Sequence, residues 1–423
     1  MTDSLAARAA GALRSPLLPI VAVIFLLPFG RASEFAVLVC MLGAAIFFAR
    51  APRAWRGHEG VKLLLILWAC YFTAALISAL DAVNPGKSWS TVAAFLRFAP
   101  FGFYVCFAMR RESRVRAVCF SVGVIAALWA LDAWVQALTG WSLGGYADPQ
   151  RVSGIFGAGD LKLGPVLATL SPFVLWSARE RYGRTGLVVA LLFLLGPILL
   201  AGSRAAWLTY ALVVIAFLWR EARTPLRFAA LAFGACVIAA FAVGIAWKTS
   251  PRFDTRVDRS LLVLSGSPQG IDMAASGRLE IWRTASRMYA DHPINGVGVR
   301  GFRYAYPSYA NTGDRFLGIE ACGVGEGACH PHQIVLEILD DTGTIGLVLW
   351  LTGLAFALRA WRGVSPTARR RAWPVTVALA VMLFPLNTHL AFYSAWWGLL
   401  FWWLLALWIA ALYADFPETA HAA

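Results

Sequence analysis

Long apolar runs separated by short charged breaks fill most of the chain. A membrane-crossing helix needs about 20 mostly apolar residues, fewer where it is short or partly buried in protein. Runs of that kind fall near 16–30, 34–49, 62–80, 91–109, 117–138, 161–178, 187–202, 205–219, 228–247, 343–358, 374–390 and 396–413. The pattern predicts an all-α, polytopic membrane protein of about twelve transmembrane helices. One stretch breaks the rhythm: from Lys248 to about Thr342, 10 basic residues mix with 11 acidic ones among Gly/Pro turns such as SPQG and HPINGVGVRGF. Loops this long inside a compact protein are usually functional. The expected organisation is helices 1–9 in residues 1–247, a mostly helical extramembrane domain in 248–342, and helices 10–12 with a short tail in 343–423.

Charge orients the helices. With the N-terminus inside, the inner loops hold 21 Arg and Lys residues and the short outer loops only 5, Arg31, Lys87, Arg151, Lys162 and Arg204. Cytoplasmic loops carry the excess of positive charge in membrane proteins. The 248–342 segment is therefore expected outside, facing the periplasm from a bacterial inner membrane. Composition agrees: 59% of the residues are hydrophobic and 14% charged, against roughly 25% charged in a soluble domain. The net charge of +14 lies in clusters between apolar runs rather than in a basic stripe with aromatics, so no nucleic-acid partner is expected. The first 16 residues run into an apolar segment without a small-residue cleavage site, which reads as a retained first span.

Cys40, Cys70, Cys106, Cys119 and Cys236 fall inside expected spans, where a thiol behaves as a small apolar group. Cys322 and Cys329 lie outside, in CGVGEGAC. A disulfide suits an oxidising compartment; two free thiols, or a zinc site with the adjacent His330 and His332, are the alternatives.

Three stretches carry residues suited to chemistry. In HPHQIVLEILDDTGTIGL (330–347), Pro331 suits a first helical turn, an apolar face follows, and Gly343 breaks the helix before the next span. His332 would then sit in the first turn, where the helix dipole disfavours imidazolium and favours a neutral, base-competent ring. The bland alternative is a histidine that only hydrogen-bonds a carbonyl. In AGSRAAW (201–207), Arg204 stands in a short outer turn; its guanidinium can grip phosphate oxygens in a fork, or it can simply anchor a helix end. In SGRLEIWRTASRMYADHPINGVGVRGF (276–302), apolar residues at helical spacing predict an amphipathic helix ending at Asp291–Pro293. GVGVRG follows a helix rather than a strand, so it is not a dinucleotide fingerprint. Arg97 and Asp132 lie within expected spans, where charge marks function unless the two pair with each other. No D-x-D pair occurs, which argues against a metal-carboxylate sugar-transferase site; no metal and no cofactor is expected.

Together these stretches resemble the O-antigen ligase (WaaL) family, in the group that also holds O-antigen polymerases and protein O-oligosaccharyltransferases. The resemblance rests on Ser203–Arg204; on Arg278 with Trp282; on His292–Pro293 with Gly296 and Gly298; and on His332, Leu336, Leu339, Asp341 and Gly343. Gln333 and Asp341 stand where the family pattern has Asn and Glu. The resemblance implies a GT-C-type membrane glycosyltransferase that moves a glycan from undecaprenyl diphosphate to a hydroxyl of lipid A–core, with inversion and without nucleotide sugar. It implies His332 as general base and Arg204 and Arg278 as diphosphate clamps. Arg97, Trp282, Arg300 and His330 join them as expected substrate-binding residues. The partners implied are the undecaprenyl-diphosphate-linked O-antigen, lipid A–core and membrane lipids. Polymerase and protein-transferase activities share the donor chemistry; a lipid-linked glycan transporter using Arg97 and Asp132 is the alternative of a different class.

Overall fold

Apolar segments of 19 residues or more form helices almost wherever the hydropathy pattern places them. In the computed structural model, which describes residues 15–53, 56–146, 151–249, 258–259, 261–319 and 326–415, fifteen α-helices follow one another: α1 (Leu18–Phe25), α2 (Ala32–Arg50), α3 (Glu59–Ser78), α4 (Pro85–Phe95), α5 (Phe98–Ala108), α6 (Glu112–Thr139), α7 (Leu163–Leu200), α8 (Arg204–Ala222), α9 (Pro225–Thr249), α10 (Pro268–Ala274), α11 (Arg278–Asp291), α12 (Phe302–Tyr309), α13 (Ile334–Gly363), α14 (Pro366–Met382) and α15 (Ala395–Tyr413). A two-residue hairpin, Trp141–Ser142 against Gly145–Tyr146, is the only sheet among the described residues. The protein is an all-α polytopic membrane protein, and nine of its described helical segments are long and apolar enough to cross a bilayer. The 38-residue α7 joins two of the twelve expected segments across a kink at Gly183. The first expected span contains only the eight-residue α1, and α14 opens with Arg369, Arg370 and Arg371.

Burial sorts these helices. α15 is hydrophobic all round, and 83% of its apolar window is buried; it is the centre of the bundle. α9 is more apolar still, but none of its window is buried: it lies at the edge of the bundle against α8, where Phe228 meets Trp219 at 5.2 Å. Around α15 the Tyr71 ring lies 4.7 Å from Phe95 and 5.2 Å from both Phe392 and Tyr393, while Phe98 stacks on Trp402 at 5.4 Å.

Ion pairs gather the basic helix termini at one end. Arg371 reaches Glu112 at 3.4 Å and Asp415 at 3.6 Å, Arg116 reaches Glu180 at 3.3 Å, and Arg179 pairs with Glu221 at 2.8 Å. The N-termini of α8 and α13 lie at the other end, with α11 packed on α13. There the HPINGVGVRGF turn is plugged between helices. Thr344 and Ile345 donate backbone bonds to the Pro293 and Ile294 carbonyls at 2.9 and 3.1 Å, across a break in α13 at Gly343 (φ 65°, ψ −166°). On its other flank Val83 N–H donates to the Val297 carbonyl at 3.0 Å, and Val299 N–H donates to Ser78 Oγ at 3.0 Å.

Two readings of the sequence change, the alternative pairing of Arg97 with Asp132 and the bounds of one span. Arg97 and Asp132 do not pair: Arg97 forms an ion pair with Glu34 at 3.1 Å and lies over the Phe98 ring, while Asp132 accepts from Leu143 N–H at 2.9 Å. Each carboxylate or guanidinium found a partner closer to its own helix end. The expected span at 374–390 also stops early, at Met382, because Pro385 and the polar run Asn387–Thr388–His389 cannot continue an apolar helix; residues 383–394 form a loop instead. Cys329 is disulfide-bonded; its expected partner Cys322 lies outside the described residues.

The Gly343 break is a backbone conformation that only glycine adopts readily, with an energetic cost of about 1–3 kcal/mol for other residues. A Cβ at Gly343 would also strike the Ile294 backbone. Gly343→Ala is expected to lower the unfolding temperature in detergent by several degrees, measured by tryptophan fluorescence. Gly244→Ala, at an open position on α9, should leave it unchanged or raise it slightly.

Candidate active site

Helix α13 starts two residues after His332. Gln333 caps it, accepting from Leu336 N–H through Oε1 at 2.6 Å. His332 therefore precedes the helix instead of sitting in its first turn, and Pro331 is not its first residue. The backbone of His332 is left-handed (φ 57°), a conformation that non-glycine residues hold only where the surroundings impose it. Three contacts impose it here. His332 Nδ1 donates to the Thr388 carbonyl at 2.8 Å, its backbone N–H donates to His330 Nδ1 at 3.2 Å, and the Pro331 carbonyl accepts from the Trp282 indole at 3.0 Å. The two imidazoles lie 3.9 Å apart. With Nδ1 carrying the proton toward Thr388, Nε2 of His332 is the unprotonated, basic nitrogen.

Trp282 is thus a brace for the His–Pro–His turn. One helical turn before it, Arg278 is the first residue of α11. Arg204 is likewise the first residue of α8 and donates to Ser276 Oγ. Two helices consequently present an arginine at the positive end of the helix dipole, and both features attract anions. Arg204 and Arg278 line one cleft of about 410 Å³ whose other walls include Leu208, Val263, Ile271 and Leu386. The cleft joins two cations to an apolar wall.

The loop 383–394 completes the site. Besides the Thr388 carbonyl it brings His389, whose Nε2 lies 2.6 Å from Ser203 Oγ. Ser203 is the N-cap of α8, accepting from Ala206 N–H at 3.1 Å. The loop itself is held by Glu337, which accepts from the backbone N–H groups of Phe392 and Tyr393 at 2.9 and 3.2 Å. One turn further along α13, Asp341 accepts from Arg300 and Phe302 N–H at 2.8 and 3.2 Å. Sequence reading missed His389, Thr388 and the clamping role of Glu337. The proline and the Asn–Thr–His run were the available signal for the loop; nothing local points to Glu337.

All three histidines are held neutral. Burial pushes His332 down to about 4, helped by the Arg278 charge and opposed by its bond to Thr388. Burial and then Arg278 push His389 to about 3, and burial with His332, Arg300 and Arg303 drives His330 far below its ordinary value. Neutrality thus comes from burial and neighbouring cations rather than from a helix dipole. Arg278 is itself lowered to about 10 by burial and by Arg204. Arg300 and Arg303 stand by His330, whereas Arg97 is engaged by Glu34. Among the described residues no three His, Cys, Asp or Glu side chains gather as metal ligands, and Cys329 is committed to a disulfide.

Residues 167–351 match the family model described as O-antigen ligase. That stretch, less than half of the chain, is similar to the O-antigen ligase family. No curated protein matches the chain. The family match includes Arg204, Arg278 and His332; Thr388 and His389 lie beyond it.

Trp282→Phe keeps the ring of the brace and removes its N–H. A net hydrogen bond of about 0.5–1.5 kcal/mol is at stake, so O-antigen transfer is expected to fall by roughly three- to tenfold while thermal unfolding changes little. Unaltered transfer would show that the turn keeps its shape without the indole.

Proposed function

We propose that the protein is an O-antigen ligase, which transfers a glycan from undecaprenyl diphosphate to a sugar hydroxyl of lipid A–core by a single inverting displacement without a metal. The observation that carries the reading is that Arg204 and Arg278, each at a helix N-terminus, line one cleft with Thr388, whose carbonyl holds a neutral His332 by Nδ1 and leaves Nε2 to accept a proton. The diphosphate lies on the two guanidiniums and the polyprenyl chain runs along the apolar wall of the cleft at Leu208 and Leu386. The acceptor oxygen attacks the anomeric carbon, its proton passes to His332 Nε2, and the bond to the diphosphate oxygen breaks with its electron pair. Undecaprenyl diphosphate leaves as an anion and needs no acid. Removing one preorganised donor from such a charge typically costs about 3–4 kcal/mol, and a positioned base typically contributes about 10²–10⁴-fold. The arginine-rich end faces the cytoplasm of the inner membrane, following the charge bias of membrane proteins, and the site opens to the periplasm.

Transfer by purified protein from undecaprenyl-diphosphate glycan to lipid A–core, in EDTA and without ATP, tests the reading. His332→Ala is expected to lose about 10²–10⁴-fold, and Arg278→Ala about 10²–10³-fold. Near-normal transfer by His332→Ala would remove the base assignment. A wild type that extends lipid-linked glycans but never glycosylates lipid A–core would instead be a polymerase.

The pH dependence follows from the lowered His332. Its working form is neutral, so with a value of about 4 against an ordinary 6.5 the base stays competent as pH falls through 6.5. The base limb of kcat/KM is therefore expected near pH 4, with a flat profile from pH 8 to about 5. A limb near 6.5 would mean that the free enzyme's base is a solvated histidine.

A further inference from the structure

A second group of cations lies beside the histidine pair and outside the cleft lined by Arg204 and Arg278. Ser88 Oγ donates to the Val299 carbonyl at 3.0 Å, which sets Lys87, on the first turns of α4, next to Arg300. Arg300 is held left-handed (φ 65°) with its N–H on Asp341, so its position is fixed by the fold. Arg303 follows on α12, half-buried, and its Nε is enclosed without a hydrogen-bond partner. None of these three cations forms an ion pair among the described residues. Glu337 and Asp341 add favourable charge to the field of Arg300 and Arg303 but give their oxygens to backbone N–H groups.

Three cations lie close enough to repel one another, with Arg31 adding to the field at Lys87 and Asp341 and Glu337 offsetting part of it, an arrangement that costs free energy in the empty protein. It becomes favourable when an anion enters, because guanidinium and ammonium bonds to phosphate or carboxylate oxygens are among the strongest polar contacts. Position says which anion. His330 feels Arg300 and Arg303, whereas His332, packed against it at a tilt, feels Arg278. The second cluster thus lies on the far ring of the pair from the diphosphate clamp. A single displacement needs the attacking hydroxyl and the leaving diphosphate on opposite faces of the anomeric carbon, with the base beside the hydroxyl. An anchor for the attacking molecule therefore belongs on the His330 side.

We propose that Lys87, Arg300 and Arg303 form an acceptor site that binds an anionic substituent, phosphate or carboxylate, of the acceptor glycolipid. The proposal rests on the transferase reading above and adds to it where the second substrate is held and what charge it carries.

Steady-state transfer to three acceptors tests it: intact lipid A–core, the same glycolipid after phosphatase treatment, and the same glycolipid with its carboxyl groups reduced. Lys87→Ala and Arg303→Ala are expected to raise the acceptor KM about tenfold, as the loss of one charged hydrogen bond does, and Lys87→Glu to raise it further. The donor KM should stay within twofold. Wild-type protein should show the same rise with one of the two stripped acceptors, and that acceptor names the group bound; the variants should no longer distinguish it from the intact one. Lys87 is only half-buried on a helix turn, so Lys87→Glu decides the matter even if Arg303→Ala unfolds. An unchanged acceptor KM in Lys87→Glu, a donor KM that rises instead, or equal use of both stripped acceptors by the wild type overturns the acceptor site. A wild type that transfers to no glycolipid at all overturns the ligase reading itself, which the intact acceptor reads separately.

Discussion

Glu337 and Asp341 stand one helical turn apart on α13, and all four of their oxygens accept backbone N–H groups from two loops that meet nowhere else in the sequence. Everything at the site end hangs from these bonds. Glu337 fixes Phe392 and Tyr393, and through them Thr388 and His389, four residues earlier. Asp341 fixes Arg300 and Phe302, and with them the start of α12. His332 lies just before the same helix, so the proposed base, its carbonyl partner and the second cation cluster share one reference frame. A buried amide left without a partner costs about 1–3 kcal/mol, and charged acceptors make the stronger bonds. Replacing either carboxylate would therefore strand two N–H groups at once. The two acids are spent on architecture, which is why the neighbouring cations keep their charge unpaired.

The fold was legible in the sequence wherever one rule sufficed. Apolar length gives the helices, the distribution of arginines gives the end at which they gather, and the break at Gly343 follows from a glycine between two apolar faces. The turn at His292–Gly301 was legible as a turn but not as a plug, because its partners, Ser78 and Val83 and the Gly343 break, lie more than 40 residues away along the chain. The site was half legible. Arg204, Arg278 and His332 announce themselves by residue type in unusual places. His389 did not, since a window of apolar residues around Leu383 and Leu390 hides a short polar run that only the packed structure turns into a loop. Arg97 and Asp132 show the converse: buried charge implies a partner, but sequence does not say which, and here Glu34 and the Leu143 amide took them.

The helix dipole was expected to hold His332 neutral, and a different force does so. His332 lies before the Gln333 cap, and burial with the Arg278 charge sets its protonation. The distinction matters for the proposed reaction. A dipole is permanent, whereas the push from Arg278 is cancelled when a diphosphate binds there. Without donor, His332 is a weak base, buried and facing the Arg278 charge. With donor in the clamp, the same ring faces a neutralised charge and becomes a stronger base, at the moment when a proton must be taken. The cations beside His330 act on that ring and not on His332, so in the proposed reaction the gain in base strength at Nε2 comes with the diphosphate donor.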